Sequence, residues 1–229
     1  MSTYCFSDVH GQYNLWKQIQ NYLKEDDTCY VLGDCIDRGL DGYQILKEVL
    51  EDKKCIFLLG NHEDMMLHYF KTESPYDKRL WFLNGGEPTY NACKNDIDLH
   101  DILQKLDLAP KEIMYKNIHL SHAGIAPGVE ERDLLWDRDH IYTRWFEEEG
   151  IDYVIHGHTP EMYIQEELFN LKMFTGNDYD YHSYNDVMCK YCEGHKICID
   201  GGSVLSHKIG LLDLDTLELA EVFKDAGSN

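Results

Sequence analysis

Five short segments of the chain place acidic, histidine or amide side chains directly after an apolar run. They are SDVHG with Asp8 and His10, GDCIDRG with Asp34, Asp37 and Arg38, GNHED with Asn61, His62 and Glu63, SHAGI with His122, and HGHTP with His156 and His158. Carboxylate, imidazole and amide donors without a thiolate suit Mn, Fe or Zn in a hydrolytic site better than a structural zinc site, which prefers cysteine. A single histidine in such a place is usually a packed, hydrogen-bonded residue, but five segments in order favour a metal centre.

The elements before these segments explain why the five should meet. TYCFS, TCYVLG and KCIFLLG are typical of buried strands, and apolar residues at helical spacing follow each one, which gives a βαβαβα order with parallel strands. EIMYKNIHLSHAGI contains two strands joined at Lys116 and Asn117, and DYVI is a further strand. IYTRWFEEE has a helical pattern, and the chain from KICID onward supplies three more strands. We assign the later strands to a second, more antiparallel sheet. The predicted fold is α/β (α+β), with two mixed sheets packed face to face and flanked by helices.

Because ligands of open α/β sheets bind at the carboxyl ends of the strands, the polar clusters at the strand ends should converge. No Pro/Gly/Ser-rich linker or internal repeat interrupts the 229 residues, so we predict a single domain over residues 1–229. The formal net charge of −21 opposes binding to nucleic acid or an anionic membrane surface. A phosphate site would therefore need its own local positive charge.

The N-terminal segment MSTYCF has neither a basic region nor an apolar region typical of a secretion signal. No apolar run approaches the roughly 20 residues of a membrane span. Most of the cysteines lie in strand-like segments, which favours buried thiols in a reducing compartment. Together these features predict a cytoplasmic protein, in a bacterial or host cytosol, without a membrane partner.

SDVHG, GDCIDRG, GNHE, SHAG and GHT together resemble the signature series of the phosphoprotein phosphatase family within the calcineurin-like metallophosphoesterases. The motif pattern is most similar to that of the bacterial and bacteriophage members, such as the lambda phage protein phosphatase. WFLNGGEPTY and ICIDGG also resemble segments of these proteins, so that the resemblance spans roughly residues 3–160 and 196–222. It implies a metallophosphoesterase β-sandwich in which a hydroxide shared by two metal ions attacks a phosphate ester. Manganese is the first expectation for the metal, with iron or zinc as alternatives.

The resemblance also implies a role for each matching residue. Asp8 and His10 match ligands of one metal, Asp34 matches a carboxylate that bridges both, and Asn61, His122 and His158 match ligands of the other. His62 matches the histidine that protonates the leaving group, and Asp37 its carboxylate partner, expected to fix the tautomer and raise the pKa of His62. Arg38 and Arg138 match two phosphate-binding arginines, which would supply the positive charge that the chain as a whole lacks.

Several substrate classes fit this pattern. The main expectation is a phosphomonoesterase acting on phosphoserine and phosphothreonine in proteins, and also on phosphotyrosine. The alternatives are a dinucleoside polyphosphate hydrolase, a small-molecule or cyclic-nucleotide phosphoesterase, and a noncatalytic phosphate-binding scaffold. Asp37 and Arg38 in GDCIDRG resemble the protein phosphatase form, since the dinucleotide enzymes often depart from it at the aspartate.

Within residues 161–196, the segment FTGNDYDYHSYND has no periodicity and many turn formers, so we expect a long loop or excursion beside the site. Such a loop would be either a solvated excursion or a lid with Tyr179, Tyr181 and Tyr184 available for stacking.

Three smaller features leave alternatives open. Cys189, Cys192, His195 and Cys198 have the spacing of a zinc site, but they also fit buried thiols. His156 is either the last packed residue of its strand or a donor behind the metal, with Gly157 allowing the backbone to turn. Glu63 is either a helix N-terminal residue, favoured by the helix dipole, or a residue with a direct role in the site.

Overall fold

The computed structural model describes residues 1–126, 128, 134–143, 150–177 and 179–225. Its elements are, in chain order, β1 (Thr3–Phe6), α1 (Tyr13–Tyr22), β2 (Thr28–Val31), α2 (Gly42–Glu51), β3 (Cys55–Phe57), α3 (Asn61–Thr72), α4 (Pro75–Leu83), α5 (Glu87–Cys93), α6 (Leu99–Asp107), β4 (Glu112–Tyr115), β5 (Ile118–Ser121), β6 (Tyr153–His156), α7 (Glu161–Thr175), β7 (Tyr181–Tyr184), β8 (Met188–Tyr191), β9 (Lys196–Cys198), α8 (Ser203–Ser206), β10 (Lys208–Asp213) and β11 (Glu218–Lys224). A short 3₁₀ turn covers Asp139–Ile141.

The first sheet has the strand order β11-β10-β1-β2-β3. Strands β1, β2 and β3 run parallel, as the βαβαβα pattern predicts. Strand β10 pairs antiparallel with β1, with Tyr4 opposite Asp213, and β11 pairs antiparallel with β10. The last two strands therefore extend the first sheet, and our assignment of them to the second sheet was wrong.

The second sheet has the strand order β4-β5-β6-β9-β8-β7. It is also mixed: β5, β6 and β9 are parallel, and antiparallel pairs flank them on both sides. Lys116 and Asn117 form the turn between β4 and β5, where the sequence predicted it, and Lys116 has a left-handed backbone with φ of 55°. The predicted architecture of two mixed sheets flanked by helices is confirmed.

Side chains alternate between two cores, as expected for strands buried on both faces. Cys5 and Leu212 of the first sheet pack with Leu120 and Ile155 of the second, which fills the space between the sheets. On the other face of the first sheet, Phe6 and its neighbours pack against residues from α1, α2, α3 and α6. This packing fixes the two sheets with the ends of β1, β2, β5 and β6 close together.

Residues 161–196 are not the long loop that the sequence suggested. They contain α7 and the antiparallel strands β7 and β8. Helix α7 is held by Ile164 and Leu168, which pack against Tyr191 and Cys198 on the outer face of the second sheet. Only these two apolar residues of α7 are buried, together with Glu161, so the apolar periodicity of the helix is weak.

The segment IYTRWFEEE lies mostly outside the described residues, so the helix predicted there stays a prediction. Among the described helices we find no candidate membrane span, because none combines the necessary length with a sufficiently apolar composition.

Candidate metal centre and active site

The loops that follow β1, β2, β3, β5 and β6 bring the polar clusters of the sequence into one buried site. The side chains assembled there are Asp8, His10, Asp34, Asp37, Arg38, Asn61, His62, His122 and His158, and all of them except the exposed Arg38 are buried. Arg138 lies in the segment before the 3₁₀ turn and lines the same cavity as His10, Arg38 and His158. The convergence that parallel strand ends predicted is therefore observed.

Asp34 lies between two groups of histidines. Its Oδ2 is 3.5 Å from His10 Nε2, and its Oδ1 is 3.4 Å from His122 Nε2. The two oxygens of one carboxylate thus face different imidazoles, which is the arrangement that a bridging ligand requires. On the His10 side, Asp8 Oδ1 lies 3.7 Å from the same His10 nitrogen.

Asn61 joins the remaining histidines. Its Oδ1 lies 2.8 Å from His122 Nε2 and 3.0 Å from His158 Nδ1. The other ring nitrogen of His122, Nδ1, donates to the Leu32 carbonyl at 2.7 Å, which leaves Nε2 with the lone pair that a metal ligand needs. The other ring nitrogen of His158, Nε2, is buried without a hydrogen-bond partner.

The donor atoms form two compact sets that share Asp34. One set contains Asp8, Asp34 and His122, the other contains His10, Asp34 and His62, and the donor atoms of each set lie within 4.8 Å of one another. Burial, then the neighbouring charges of Asp8 and Glu63, raises the pKa of the Asp34 carboxyl well above its ordinary value. A buried carboxylate such as Asp34 is costly to leave ionised without a positive partner. Oxygen and imidazole donors that surround it at these distances fit divalent cations.

His62 is held by a buried carboxylate. Its Nδ1 lies 2.7 Å from Asp37 Oδ2, and its Nε2 accepts from Arg38 Nη2 at 3.1 Å. Burial lowers the pKa of His62 well below its ordinary value, and the charge of Arg38 lowers it further. The pKa of His62 thus moves opposite to the expected rise, while the hydrogen bond to Asp37 orients the ring and fixes its tautomer.

The WFLNGGEPTY segment holds the loop that carries Asp37 and Arg38. Trp81 Nε1 donates to Asp37 Oδ2 at 2.8 Å, and the Asp37 backbone N–H donates to Thr89 Oγ1 at 2.9 Å. The Arg38 backbone N–H donates to the Gly85 carbonyl at 3.0 Å. The sequence suggested this segment only by resemblance, and these three hydrogen bonds give it a physical role.

The two arginines line one cavity beside the histidines and carboxylates of the site. Arg38 Nη1 is 2.8 Å from His10 Nε2, next to the metal donors. Arg138 Nε donates to Thr159 Oγ1 at 3.2 Å. Both guanidinium groups line a cavity of about 560 Å³ together with His10 and His158. They provide the local positive charge that the acidic chain otherwise lacks.

The backbone of the site is strained. Non-glycine residues with φ between 41° and 69° include Asp8, His10, Asp34, Asp37, Arg38 and His158. Each left-handed residue costs free energy that the surrounding structure must offset, and such residues concentrate at functional sites. Residue types alone do not reveal this feature.

Glu63 is neither exposed nor part of the metal sets. Its carboxylate is buried and accepts from the backbone N–H groups of Asp34 at 2.9 Å, Cys35 at 2.8 Å and Ile36 at 3.3 Å. The third residue of α3 therefore anchors the strained loop that contains Asp34. Glu63 thus supports the site indirectly through this loop, and its position in the first turn of α3 agrees with the helix dipole.

His156 and His158 have different surroundings. His156 is the last residue of β6, and its Nε2 lies 2.8 Å from the Tyr191 hydroxyl while its Nδ1 lies 2.9 Å from the Gly157 carbonyl. His156 is therefore a packed and fully hydrogen-bonded residue, whereas His158 points at Asn61. Gly157 has no left-handed backbone; a Cβ there would lie 2.1 Å from Ser7 Oγ and 2.2 Å from Asp8 Oδ2, so the glycine makes room for the site instead of turning the chain.

The four residues of the suggested zinc site do not form a donor cluster in the described part of the chain, where the metal-type groups are those that share Asp34. Cys189 and Cys198 are buried opposite each other on β8 and β9, and Cys198 Sγ donates to the Thr159 carbonyl at 3.2 Å. His195 Nδ1 donates to the Asp152 carbonyl at 2.8 Å, and Cys192 lies in the turn before it with φ of 54°.

The tyrosines that we expected to stack over the site lie elsewhere. The Tyr181 hydroxyl hydrogen-bonds to Glu161, and Tyr184 packs against the core between the sheets. Tyr179 packs on the outer face of the second sheet. The cavity instead contains Tyr142 and Tyr163, which the sequence analysis did not single out.

Comparison with known proteins shows the family and the fold. The sequence profile of the calcineurin-like phosphoesterases matches residues 1–162. A symmetrical bis(5'-nucleosyl)-tetraphosphatase of Wigglesworthia glossinidia brevipalpis is 31% identical over 142 residues, which are 59% of this chain and 49% of the relative. The chain thus spans about half the length of the curated relatives that it matches.

Two solved structures share the fold over most of their length. One, whose assignment as a diadenosine tetraphosphatase is itself provisional, has a TM-score of 0.66 and 13% identity, covering 98% of this chain and 94% of the other. The other is the cold-active protein-tyrosine phosphatase of a psychrophilic Shewanella species, with a TM-score of 0.59 and 16% identity, covering 95% and 76%. At these identities the likeness concerns the fold alone.

Proposed function

Because the chain belongs to the calcineurin-like phosphoesterase family, we propose that it is a metal-dependent hydrolase that cleaves dinucleoside polyphosphates. The observation that carries the metal-dependent chemistry is the position of Asp34, which turns one oxygen toward His10 and the other toward His122. The substrate class is supported by the curated relatives, which are named symmetrical bis(5'-nucleosyl)-tetraphosphatases. This substrate replaces our main expectation from the sequence, a protein phosphatase.

The residues proposed to hold the metal ions form two sets around Asp34. Asp8 and His10 are proposed for one ion, and Asn61, His122 and His158 for the other. Asp8 lies 3.7 Å from His10 and also belongs to the donor set of His122, so its carboxylate is within reach of both positions. Two divalent cations there, with manganese as the first candidate, would lower the pKa of a water molecule and neutralise phosphoryl oxygens. The Leu32 carbonyl and the Ile36 carbonyl, which accept from His122 and His10, fix the ring orientations before any ion binds.

The proposed roles of Arg38 and Arg138 are to bind the oxygens of the phosphoryl group that is transferred. A guanidinium group presents a planar pair of donors that matches two phosphate oxygens. Arg38 contacts both His10 and His62, so a phosphoryl group that it binds lies beside the metal donors and beside the proposed proton donor. Arg138 is oriented by Thr159, the residue after the ligand His158.

The proposed role of His62 is to pass a proton from Nε2 to the departing oxygen, which requires Nε2 to exchange its contact with Arg38 for a proton when the substrate binds. Asp37 accepts from Nδ1 and keeps the ring oriented, with Trp81 fixing the carboxylate in turn. How much this proton matters depends on the leaving group. An alkoxide from phosphoserine needs it, whereas a nucleoside diphosphate leaves from an anhydride as a much weaker base.

A protein phosphatase is the second candidate, and one observation favours it. Asp37 is present, buried and bonded to His62, and this is the residue at which the dinucleotide enzymes often depart from the pattern. An intact Asp37–His62 pair would be useful for an alkoxide leaving group. The two candidates use the same metal donors and arginines and differ in what binds beyond the phosphate.

The experiment that tests the proposal identifies the products formed from diadenosine tetraphosphate by the Mn²⁺-loaded chain. Cleavage between the two central phosphates would give two molecules of adenosine diphosphate. A phosphoserine peptide and a cyclic nucleotide, assayed in parallel, test the other substrate classes. Absence of any product from the dinucleotide, with release of phosphate from the peptide, would reject the proposal in favour of the second candidate.

A further inference from the structure

The cavity that contains the two arginines has a second, chemically different lining. Besides His10, Arg38, Arg138 and His158, it is lined by apolar and aromatic side chains: Ile141, Tyr142, Pro160, Tyr163, Val204 and Leu205. At about 560 Å³ it holds more than one phosphate, and its size is that of sites for molecules as large as a nucleotide.

Three residues of this apolar and aromatic lining, called the wall below, are exposed although their side chains are large. Leu205 has 71% of its surface exposed, Tyr163 has 47% and Tyr142 has 44%. Apolar surface next to a strongly polar site is where the non-reacting part of a substrate binds, because the substrate covers it on binding. A metal ion and a phosphate alone would leave this wall without a function.

Glu167 adds a specific polar group to the same wall. It lines the cavity from α7, and its Oε2 accepts a hydrogen bond from the Tyr142 hydroxyl at 2.8 Å. A carboxylate repels phosphate, so this part of the cavity does not suit a polyphosphate chain. A carboxylate does accept hydrogen bonds from the exocyclic amino group of a nucleobase.

We propose that Tyr142, Tyr163, Leu205 and Glu167 form a nucleoside subsite that binds an amino-bearing base of the substrate next to the phosphate site. The inference rests on the proposed function and names the part of the cavity that would select for a nucleotide. The tyrosine rings and Leu205 provide surfaces on which a flat base can pack, since every base has a π-face. Glu167 distinguishes bases with an amino group from uracil, which has none.

Three of the four residues lie beyond the part of the chain that matches the family profile. The match to the family profile ends at residue 162, whereas Tyr163, Glu167 and Leu205 follow it. Two of them lie on α7, in the segment that the sequence presented as a loop, and the third lies on α8. The packing of Ile164 and Leu168 against the second sheet holds α7 so that Tyr163 and Glu167 line the cavity.

The test measures binding of adenosine diphosphate and of pyrophosphate to the Mn²⁺-loaded full chain by calorimetry. Replacing Tyr163→Ala should weaken adenosine diphosphate roughly tenfold and leave pyrophosphate within about twofold, because only the first ligand has a base. The matched control is Phe169→Ala, which removes an exposed aromatic residue of the same helix outside the cavity and should change neither affinity.

A second variant tests the base selectivity. Glu167→Gln should reduce the preference for adenosine diphosphate over uridine diphosphate by about tenfold, the size expected for a hydrogen bond to a charged group. Unchanged adenosine diphosphate affinity in Tyr163→Ala, or equal weakening of both ligands, would overturn the subsite. The subsite would also be overturned if the binding of a phosphopeptide depended on Tyr163 and the binding of adenosine diphosphate did not.

These outcomes separate the subsite from the proposed function. Hydrolysis of diadenosine tetraphosphate by the unmodified chain decides the function without any variant. If the dinucleotide is cleaved but Tyr163→Ala binds adenosine diphosphate normally, only the subsite is wrong. If the dinucleotide is not cleaved but the variant loses adenosine diphosphate selectively, the subsite stands and serves another nucleotide substrate.

Discussion

His62 Nδ1 lies 2.7 Å from Asp37 Oδ2, and both side chains are buried. The same carboxylate oxygen accepts from Trp81 Nε1 at 2.8 Å, so the orientation of His62 depends on two layers of hydrogen bonds. The Nε2 atom of the ring remains directed at the Arg38 guanidinium. A histidine held in this way can deliver a proton to one defined position beside a phosphoryl group bound by Arg38.

The first prediction concerns the proton that His62 supplies. His62→Asn should lower turnover of a phosphoserine peptide by roughly 100-fold or more, since an alkoxide is a poor leaving group. It should lower turnover of p-nitrophenyl phosphate and of diadenosine tetraphosphate far less, because their leaving groups are weak bases. Steady-state kcat values on the three substrates, with metal content measured on the same samples, check this prediction. Equal losses on all three substrates would show that His62 does not act as the acid.

The second prediction distinguishes the two histidines of HGHTP. His158→Ala should reduce the bound metal by one ion per chain, because it removes a donor that converges with His122 on Asn61. His156→Ala is the matched control, since its ring nitrogens contact Tyr191 and the Gly157 carbonyl, and should keep the metal content. Metal analysis after dialysis against limiting Mn²⁺ decides between them. Full metal content in His158→Ala would reject its assignment as a ligand.

The third prediction concerns a buried lysine behind Arg138. Lys196 Nζ donates to the His140 carbonyl at 2.5 Å and to the Thr143 carbonyl at 3.2 Å, which fastens the segment that follows Arg138. Lys196→Met should lower the free energy of unfolding by about 2 kcal/mol, because the carbonyls of the buried His140 and the half-buried Thr143 lose their donor. It should also raise KM more than it lowers kcat, since Arg138 would be less well positioned to bind phosphate.

Lys190→Met is the control for this substitution. Lys190 lies on β8 and pairs with Glu218 at the surface, away from the cavity lining. Denaturant unfolding and steady-state kinetics on both variants give the two quantities. If Lys196→Met destabilises the protein but leaves KM unchanged, the lysine supports the fold without positioning Arg138.

The fourth prediction concerns the anchor of the Asp34 loop. Glu63→Ala should lower the free energy of unfolding by about 3 kcal/mol, because the N–H groups of Asp34 and Cys35 would be buried without their acceptor. Metal affinity should fall with stability, since the strained backbone of Asp34 depends on this support. The neighbouring Asp64→Ala, at the more exposed position of the same turn, is the matched control. Thermal unfolding with and without Mn²⁺ measures both effects, and equal stability of the two variants would contradict the role of Glu63.

Much of the site follows from local sequence patterns. A buried strand followed by Asp8 or His122 is a local feature, and the rule that parallel strand ends converge brings such features together. The hairpin at Lys116 and Asn117 is local for the same reason. These parts were predictable because each depends on a few adjacent residues and on the general geometry of parallel sheets.

The parts that were missed depend on distant partners. The pairing of Tyr4 with Asp213 joins residues more than 200 positions apart, and no local pattern assigns β10 to the first sheet. Helix α7 buries only a narrow apolar stripe through Ile164 and Leu168, while Phe169 and other apolar residues are exposed, so its period is obscured. The proposed nucleoside subsite was missed because Tyr163 acquires its position only once α7 has packed.

The most direct test of the proposed function is the ratio of kcat/KM for diadenosine tetraphosphate to that for a phosphoserine peptide, both measured with the Mn²⁺-loaded chain. We predict a ratio above about 10, which corresponds to about 1.4 kcal/mol of additional transition-state binding, and loss of both activities on chelation with recovery when Mn²⁺ is restored. A ratio below 1, or hydrolysis that survives complete removal of the metal, would contradict the proposed function.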